Sequence, residues 1–307
     1  MTFVQAMILA VLQGVSELFP ISSLGHTILV PALLHWNNIK RADPNFLGFV
    51  VVLHFGTAIA LIVFYWRDWV AIVKALLASI VRGKLSDDRN ERIGWLLVVG
   101  TVPVGLLGLL FQEKVQALFG AVAPAAIFLM LNGLLMFFGE YLRNRQLAPL
   151  ALRQRPFDYG FAGSANPAQD DTGRYKQLEQ IGWLQSVFVG LGQSLALLPG
   201  ISRSGSSIVA GLLIDLTHAD AAKYSFLLAT PVIFAAALLK IPELFAPSAG
   251  GIAIEAVVGG VVSGICAFFS VAFLTKYFQS NDLRPFGWYC LMFGAICLAL
   301  AVKGVIA

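Results

Sequence analysis

The 307-residue chain is 58% hydrophobic and only 12% charged, with a mean hydropathy of +0.79. Soluble domains carry roughly 25% charged residues, so the composition excludes an ordinary soluble fold and points to an all-α polytopic membrane protein. Bundled spans make it a single integral membrane domain over 1–307, where length alone would suggest about two soluble domains. The net charge of +4 does not point to a nucleic-acid partner; in a membrane protein the placement of Lys and Arg reports topology instead. Cys266, Cys290 and Cys297 lie in apolar stretches without a CxxC pair, so they read as buried free thiols rather than disulfides or metal ligands.

Taken in order, residues 3–36 are apolar but interrupted at Pro20. Proline cannot continue a helix and disfavours helical backbone just before it. The same stretch gathers Gln13, Glu17, Ser22, Ser23 and His26, and an ionisable group at membrane depth points to function by default. Segments 46–66, 93–111 and 121–142 are each long enough to cross a bilayer. The connection at 67–92 is basic, and its first part, Asp68 to Val81, mixes Trp69, Val70, Val73, Leu76 and Leu77 with charge, as an interfacial helix does. A second basic connection, 143–180, contains a Gly/Asn/Pro/Asp-rich stretch from Gly163 to Gly173 that reads as a mobile loop. Residues 181–215 repeat the broken pattern, now at Pro199-Gly200, and 222–245, 252–278 and 285–303 supply three more spans. Gly260 and Gly264 form a GxxxG that permits close helix approach. It reads as internal packing, and a homodimer remains an open expectation.

If both broken segments are re-entrant, the two basic connections share one side, which the positive-inside rule makes cytoplasmic. Both termini then lie outside. No Lys or Arg precedes Lys40, so there is no positive n-region and the N-terminus reads as retained. The expected architecture is six transmembrane helices plus two re-entrant broken-helix hairpins in inverted repeats, about 1–142 and 181–307, flanking the polar loop 143–180. Such repeats place a site at their interface, near the midplane.

Gln13 and Glu17, four apart, share a helical face. Ser22 or Ser23 can cap a helix beginning near Leu24, with His26 in its first turn, and Ser202 or Ser204 can cap a second running from Gly205 to Leu213. Two facing helix N-termini form an anion cradle. Arg203 adds a fork suited to phosphate, and Gly200 and Gly205 let backbone approach a ligand. These are parts for phosphoryl transfer: a Ser nucleophile, His or Glu as base, and Arg203 on the phosphoryl oxygens. Glu17 and Gln13 also offer oxygens to a divalent cation. For His35, His54 and His218 a structural role is favoured, and Thr57 and Thr230 read as packing residues.

At these residues the chain resembles the undecaprenyl pyrophosphate phosphatase family, the bacitracin-resistance proteins. One signature appears as Gln13-x-x-x-Glu17 with Pro20-Ile-Ser22-Ser23-Leu-Gly25-His26, the other as Pro199-Gly-Ile-Ser202-Arg203-Ser204-Gly-Ser-Ser207. The resemblance implies a phosphatase of the bacterial inner membrane, its site facing the periplasm. It would remove the terminal phosphate of a C55 polyprenyl diphosphate, regenerating the lipid carrier of envelope polymers and conferring bacitracin resistance. It further implies Mg²⁺ or Ca²⁺ as cofactor, Glu17, Ser23, His26 and Arg203 as catalytic, and Gln13, Ser22, Gln193, Gly200, Ser202, Ser204 and Ser207 as substrate binders. Gln13 stands where many relatives carry Glu, which leaves Glu17 as the motif's one carboxylate for metal. The competing reading is a polyprenyl-phosphate transporter or flippase, which needs Arg203 and the helix ends but no Ser23–base pair.

Overall fold

The computed structural model describes residues 1–39, 43–118, 120–153, 175–244 and 253–306. Its long elements are all helices: α1 (Phe3–Ser16), α2 (Ser23–Leu33), α3 (Pro44–Phe64), α4 (Trp66–Arg82), α5 (Arg89–Leu118), α6 (Val122–Arg153), α7 (Trp183–Ser194), α8 (Arg203–Leu213), α9 (His218–Leu244), α10 (Ala253–Tyr277) and α11 (Arg284–Val302). Among the described residues, six of them (α3, α5, α6, α9, α10 and α11) are long and apolar enough to cross a membrane. The chain is an all-α, multi-pass membrane protein, with its spans where hydropathy places them.

The two broken segments each fold back on themselves. In the first, Gln5 at the start of α1 and Asn38 beyond α2 exchange side-chain amide hydrogen bonds of 3.0 and 2.9 Å. In the second, the Lys176 N–H ahead of α7 donates to the Asp215 carbonyl just after α8 at 2.9 Å. Each pair of short helices therefore starts and finishes at one end of the molecule, with the proline break as its tip. The second hairpin's open end also carries charged pairs. There Lys223 meets Asp68 at 2.7 Å, Arg89 pairs with Glu179, and an Arg92 N–H donates to the Ile181 carbonyl at 3.0 Å.

α1 packs on α10 and its counterpart α7 packs on α5, while α3 lies against both α9 and α10 and α6 runs beside α11. A Cβ added to Gly56 of α3 would stand 2.0 Å from the Gly260 carbonyl oxygen of α10, and one on Gly264 would lie 2.9 Å from the Gly56 oxygen. The GxxxG thus packs inside this chain, by close backbone approach.

One expectation changes. α6 does not stop at residue 142 but runs on to Arg153, because the polar groups that suggested a loop are paired. Glu140 Oε1 accepts from the Leu283 N–H at 3.0 Å and from His218 Nε2 at 2.7 Å, and buried Arg143 bonds the His218 ring and stacks 4.6 Å from the Tyr175 ring centre. The stretch from Gly163 to Gly173 lies outside the described residues. α4, expected over Asp68 to Val81, spans Trp66–Arg82, burying Ile72 and Ser79 and exposing Val70, Val73, Leu77 and Ile80. Its buried Ser79 Oγ accepts from Trp95 Nε1 at 2.9 Å. Of the three free thiols, Cys290 and Cys297 are buried and Cys266 is half-buried.

Candidate active site

The tips of the two hairpins meet. Ser22 and Ser202 are the N-caps of α2 and α8, accepting from the N–H groups of Gly25 and Gly205 at 3.2 and 3.1 Å. The caps are these two residues, and each helix begins one residue later, at Ser23 and Arg203. Ser22 holds a φ of 68° and Gly200 a φ of 115°. A non-glycine residue persists in such a conformation only when its surroundings over-determine it. At Gly200 no side chain is possible, since a Cβ would sit 2.3 Å from the Ala125 carbonyl oxygen of α6. Asn132 of α6 bridges the tips, donating from Nδ2 to the Pro20 carbonyl at 2.9 Å and accepting at Oδ1 from the Ser202 N–H at 3.0 Å.

Glu17, 6% exposed, lies at the centre. Its Oε1 accepts from Arg203 Nη2 at 2.8 Å and Nε at 3.3 Å. Its Oε2 accepts from Ser23 Oγ at 2.5 Å, Gln13 Nε2 at 2.9 Å and His54 Nε2 at 3.1 Å. Five donors on one buried carboxylate compensate the cost of taking it out of water. Among the described residues, Arg203 Nη1 and Gln13 Oε1 are buried without a hydrogen-bond partner, as are both amide atoms of Gln193.

The structure brings together Glu17, Ser23, Arg203 and Gln13, with Ser204 adjacent: its Oγ donates to the Glu17 and Phe19 carbonyls at 3.3 and 3.4 Å. It does not bring His26 to Ser23. The His26 ring, 2% exposed, has Nδ1 against the Ser22 carbonyl at 2.7 Å and Nε2 against the Tyr289 hydroxyl at 2.7 Å. It is stacked with Tyr289 and Phe293 of α11, ring centres 5.6 and 5.1 Å away. Its backbone N–H donates to the Ser22 carbonyl at 3.2 Å. Ser207 faces α9 and bonds Ser225 Oγ at 2.6 Å, and Ser202 is occupied as the cap. Thr57 and Thr230 bond back to their own helices, as packing residues do.

The residue missed from sequence is His54. Its ring bridges the Val50 carbonyl, 2.8 Å from Nδ1, and Glu17 Oε2. A polar residue inside the apolar run of α3 was its one visible signal.

The sequence finds its counterpart in known proteins. The model of the bacitracin resistance protein BacA family matches residues 6–296. This chain belongs to that family. Its relatives include an undecaprenyl-diphosphatase of Mycolicibacterium paratuberculosis, 44% identical over 303 residues and covering 97% of both chains. A second, from Acidiphilium cryptum and bearing the same name, is 42% identical over 309 residues, 99% of this chain and 100% of the relative. A third, undecaprenyl-diphosphatase 2 of Chromobacterium violaceum, is 41% identical across 97% of this chain. The BacA match covers both hairpins, so the tips that meet at Glu17 lie within the shared sequence.

Proposed function

We propose that the chain is an undecaprenyl-diphosphate phosphatase, cleaving the terminal phosphate from a C55 polyprenyl diphosphate. The observation that carries this reading is the Ser23 Oγ–Glu17 Oε2 contact of 2.5 Å beside the unpartnered Arg203 Nη1. A nucleophile and a base are in contact, and a guanidinium N–H is left over for phosphate. A lipid carrier would use the Arg203 cradle but has no need of the Ser23–Glu17 pair. The names of the relatives agree with the phosphatase reading.

In the proposed reaction Ser23 Oγ attacks the terminal phosphorus while its proton passes to Glu17 Oε2. The bond from that phosphorus to the bridging oxygen breaks, and the polyprenyl monophosphate leaves carrying the bridging oxygen. Water then attacks the phosphoserine phosphorus. Glu17 returns the proton to Ser23 Oγ as the P–O bond to serine breaks, and inorganic phosphate departs with the water's oxygen and both its hydrogens. Arg203, pinned by Glu17 through Nη2 and Nε, holds the phosphoryl oxygens with Nη1; fixed donors of this kind are worth about 10²–10³ in rate. His26, with both ring nitrogens taken, supports the Ser22 turn that presents Ser23.

We also propose that Mg²⁺ or Ca²⁺ reaches the site on the diphosphate. Both Glu17 oxygens already accept hydrogen bonds, and Gln13 Oε1 is the neighbouring oxygen that faces no donor. No group of three or more His, Cys, Asp and Glu side chains among the described residues could cage an ion. Mg²⁺ commonly binds in this way, through one or two protein oxygens plus substrate phosphate and water. Its contribution when bound is to neutralise charge on the diphosphate.

The two hairpins are proposed to be re-entrant and inverted, the first opening to the outer face of the inner membrane and the second to the cytoplasm, with the site reached from outside. The test of function is phosphate release from farnesyl or undecaprenyl diphosphate by the detergent-purified protein with Mg²⁺. Release by the wild type and its loss in Ser23→Ala with lipid binding retained support the enzyme. Binding without release by the wild type would favour the carrier.

A further inference from the structure

Arg203 and Glu17 do not form the usual fork. A guanidinium facing a carboxylate favours two parallel bonds, one to each oxygen, yet Nη2 and Nε of Arg203 both fall on Oε1. Oε2 is held away from the guanidinium by other donors. Gln13 Nε2 comes from the preceding turn of α1, Ser23 Oγ from the start of α2, and His54 Nε2 from α3. Gln13 lies one turn before Glu17, the C-cap of α1, and moves with it. Ser23 is the nucleophile that must be free to leave. His54 is the holder that belongs to a separate, membrane-spanning helix, and its ring is fixed from behind because Nδ1 lies 2.8 Å from the Val50 carbonyl of the preceding turn.

We propose that His54 is a positioning residue for the phosphatase reaction: its Nε2–H anchors Glu17 Oε2 opposite Ser23, so that Arg203 cannot draw both carboxylate oxygens to itself. This rests on the phosphatase reading above. One consequence follows from the anchor: Oε2 stays within 2.5 Å of the serine hydroxyl, where it can take its proton. Without the anchor, rotation of the carboxylate toward the guanidinium gains the fork and loses the serine. Small displacements of reacting groups are costly; about 1 Å can cost roughly 10²-fold.

The experiment compares wild type, His54→Leu and His54→Gln in detergent with farnesyl diphosphate and Mg²⁺, reading kcat and KM separately. Gel filtration and thermal unfolding confirm that each variant is folded. Leu removes the donor, whereas Gln places an amide N–H at about the reach of Nε2 without the ring. His54→Leu is expected to lose at least about tenfold in kcat, part of the ~10²–10⁴ of a general base, with KM within threefold. His54→Gln is expected to rescue most of that loss. If His54→Leu does not fold, His54→Asn takes its place, since its amide is too short to reach Oε2, and the same kcat loss is expected.

Wild-type kcat in the folded His54→Leu or His54→Asn protein would overturn the proposal, as would a folded His54→Gln no better than His54→Leu. If the wild type itself releases no phosphate, the phosphatase reading falls and the positioning role with it. That outcome is distinct from an active wild type whose His54 variants are equally active.

Discussion

Glu17 is asked to do two things, and the two oxygens divide them. In the proposed reaction Oε2 faces the serine that it deprotonates, and Oε1 holds the arginine that takes phosphate. Glu17→Gln keeps the shape and one acceptor but can no longer take the proton, so kcat should fall by about 10²–10⁴ while the purified protein still binds lipid diphosphate; phosphate release beside a binding assay checks both halves. Arg203→Lys separates charge from geometry. A lysine is a point charge without a fork, so it can neutralise Glu17 or reach into the pocket but cannot do both as Arg203 does through Nη2 and Nη1. A rise in KM with a loss of kcat/KM approaching that of Arg203→Ala is expected from steady-state kinetics. Much of this was legible in the sequence, because Gln13, Glu17, Ser23 and Arg203 sit where polar residues are expensive and so stand out. His54 was not, because a lone histidine in an apolar helix reads the same whether it bonds its own backbone or a carboxylate on another helix. His26 lies close to Ser23 in sequence, and its ring is held between Tyr289 and the Ser22 carbonyl.

At the scale of elements, the site is a joint between two helix tips, and Asn132 of α6 is its pin. Replacing it by Leu would strand the Pro20 carbonyl and the Ser202 N–H, two buried backbone groups that it now satisfies. Each orphan costs about 1–3 kcal/mol, so Asn132→Leu should lower the unfolding temperature in detergent and reduce activity together. Asn132→Asp, which keeps the acceptor for Ser202 alone, should fall between. The proline breaks and the capping serines were readable because they are local chemistry: a missing N–H, a clash, a side-chain acceptor within three residues. The bond from Asn132 is not local, nor is the continuation of α6 past residue 142, which rests on His218, Leu283 and Tyr175 pairing its polar side chains from far along the chain. Hydropathy alone ends that helix where its charge begins.

Across the whole molecule the proposed arrangement has the hairpins reach the same centre from opposite ends, and the distribution of charge gives them a direction. The end that joins Asp68 to Lys223 and Arg89 to Glu179 carries charged pairs, while at the other end Gln5 and Asn38 join through their side-chain amides. Basic loops stay on the cytoplasmic side, so the first hairpin should open outward and Glu17 should be reached from the periplasm. Single cysteines placed at exposed Asn37 and Asp87 test this in a background where Cys266, Cys290 and Cys297 are replaced by Ala. In intact cells with a permeable outer membrane, a membrane-impermeant maleimide should label Asn37→Cys and leave Asp87→Cys unlabelled until the inner membrane is opened. Equal labelling of both would break the six-span count, and the reverse pattern would turn the molecule over and place phosphate release in the cytoplasm.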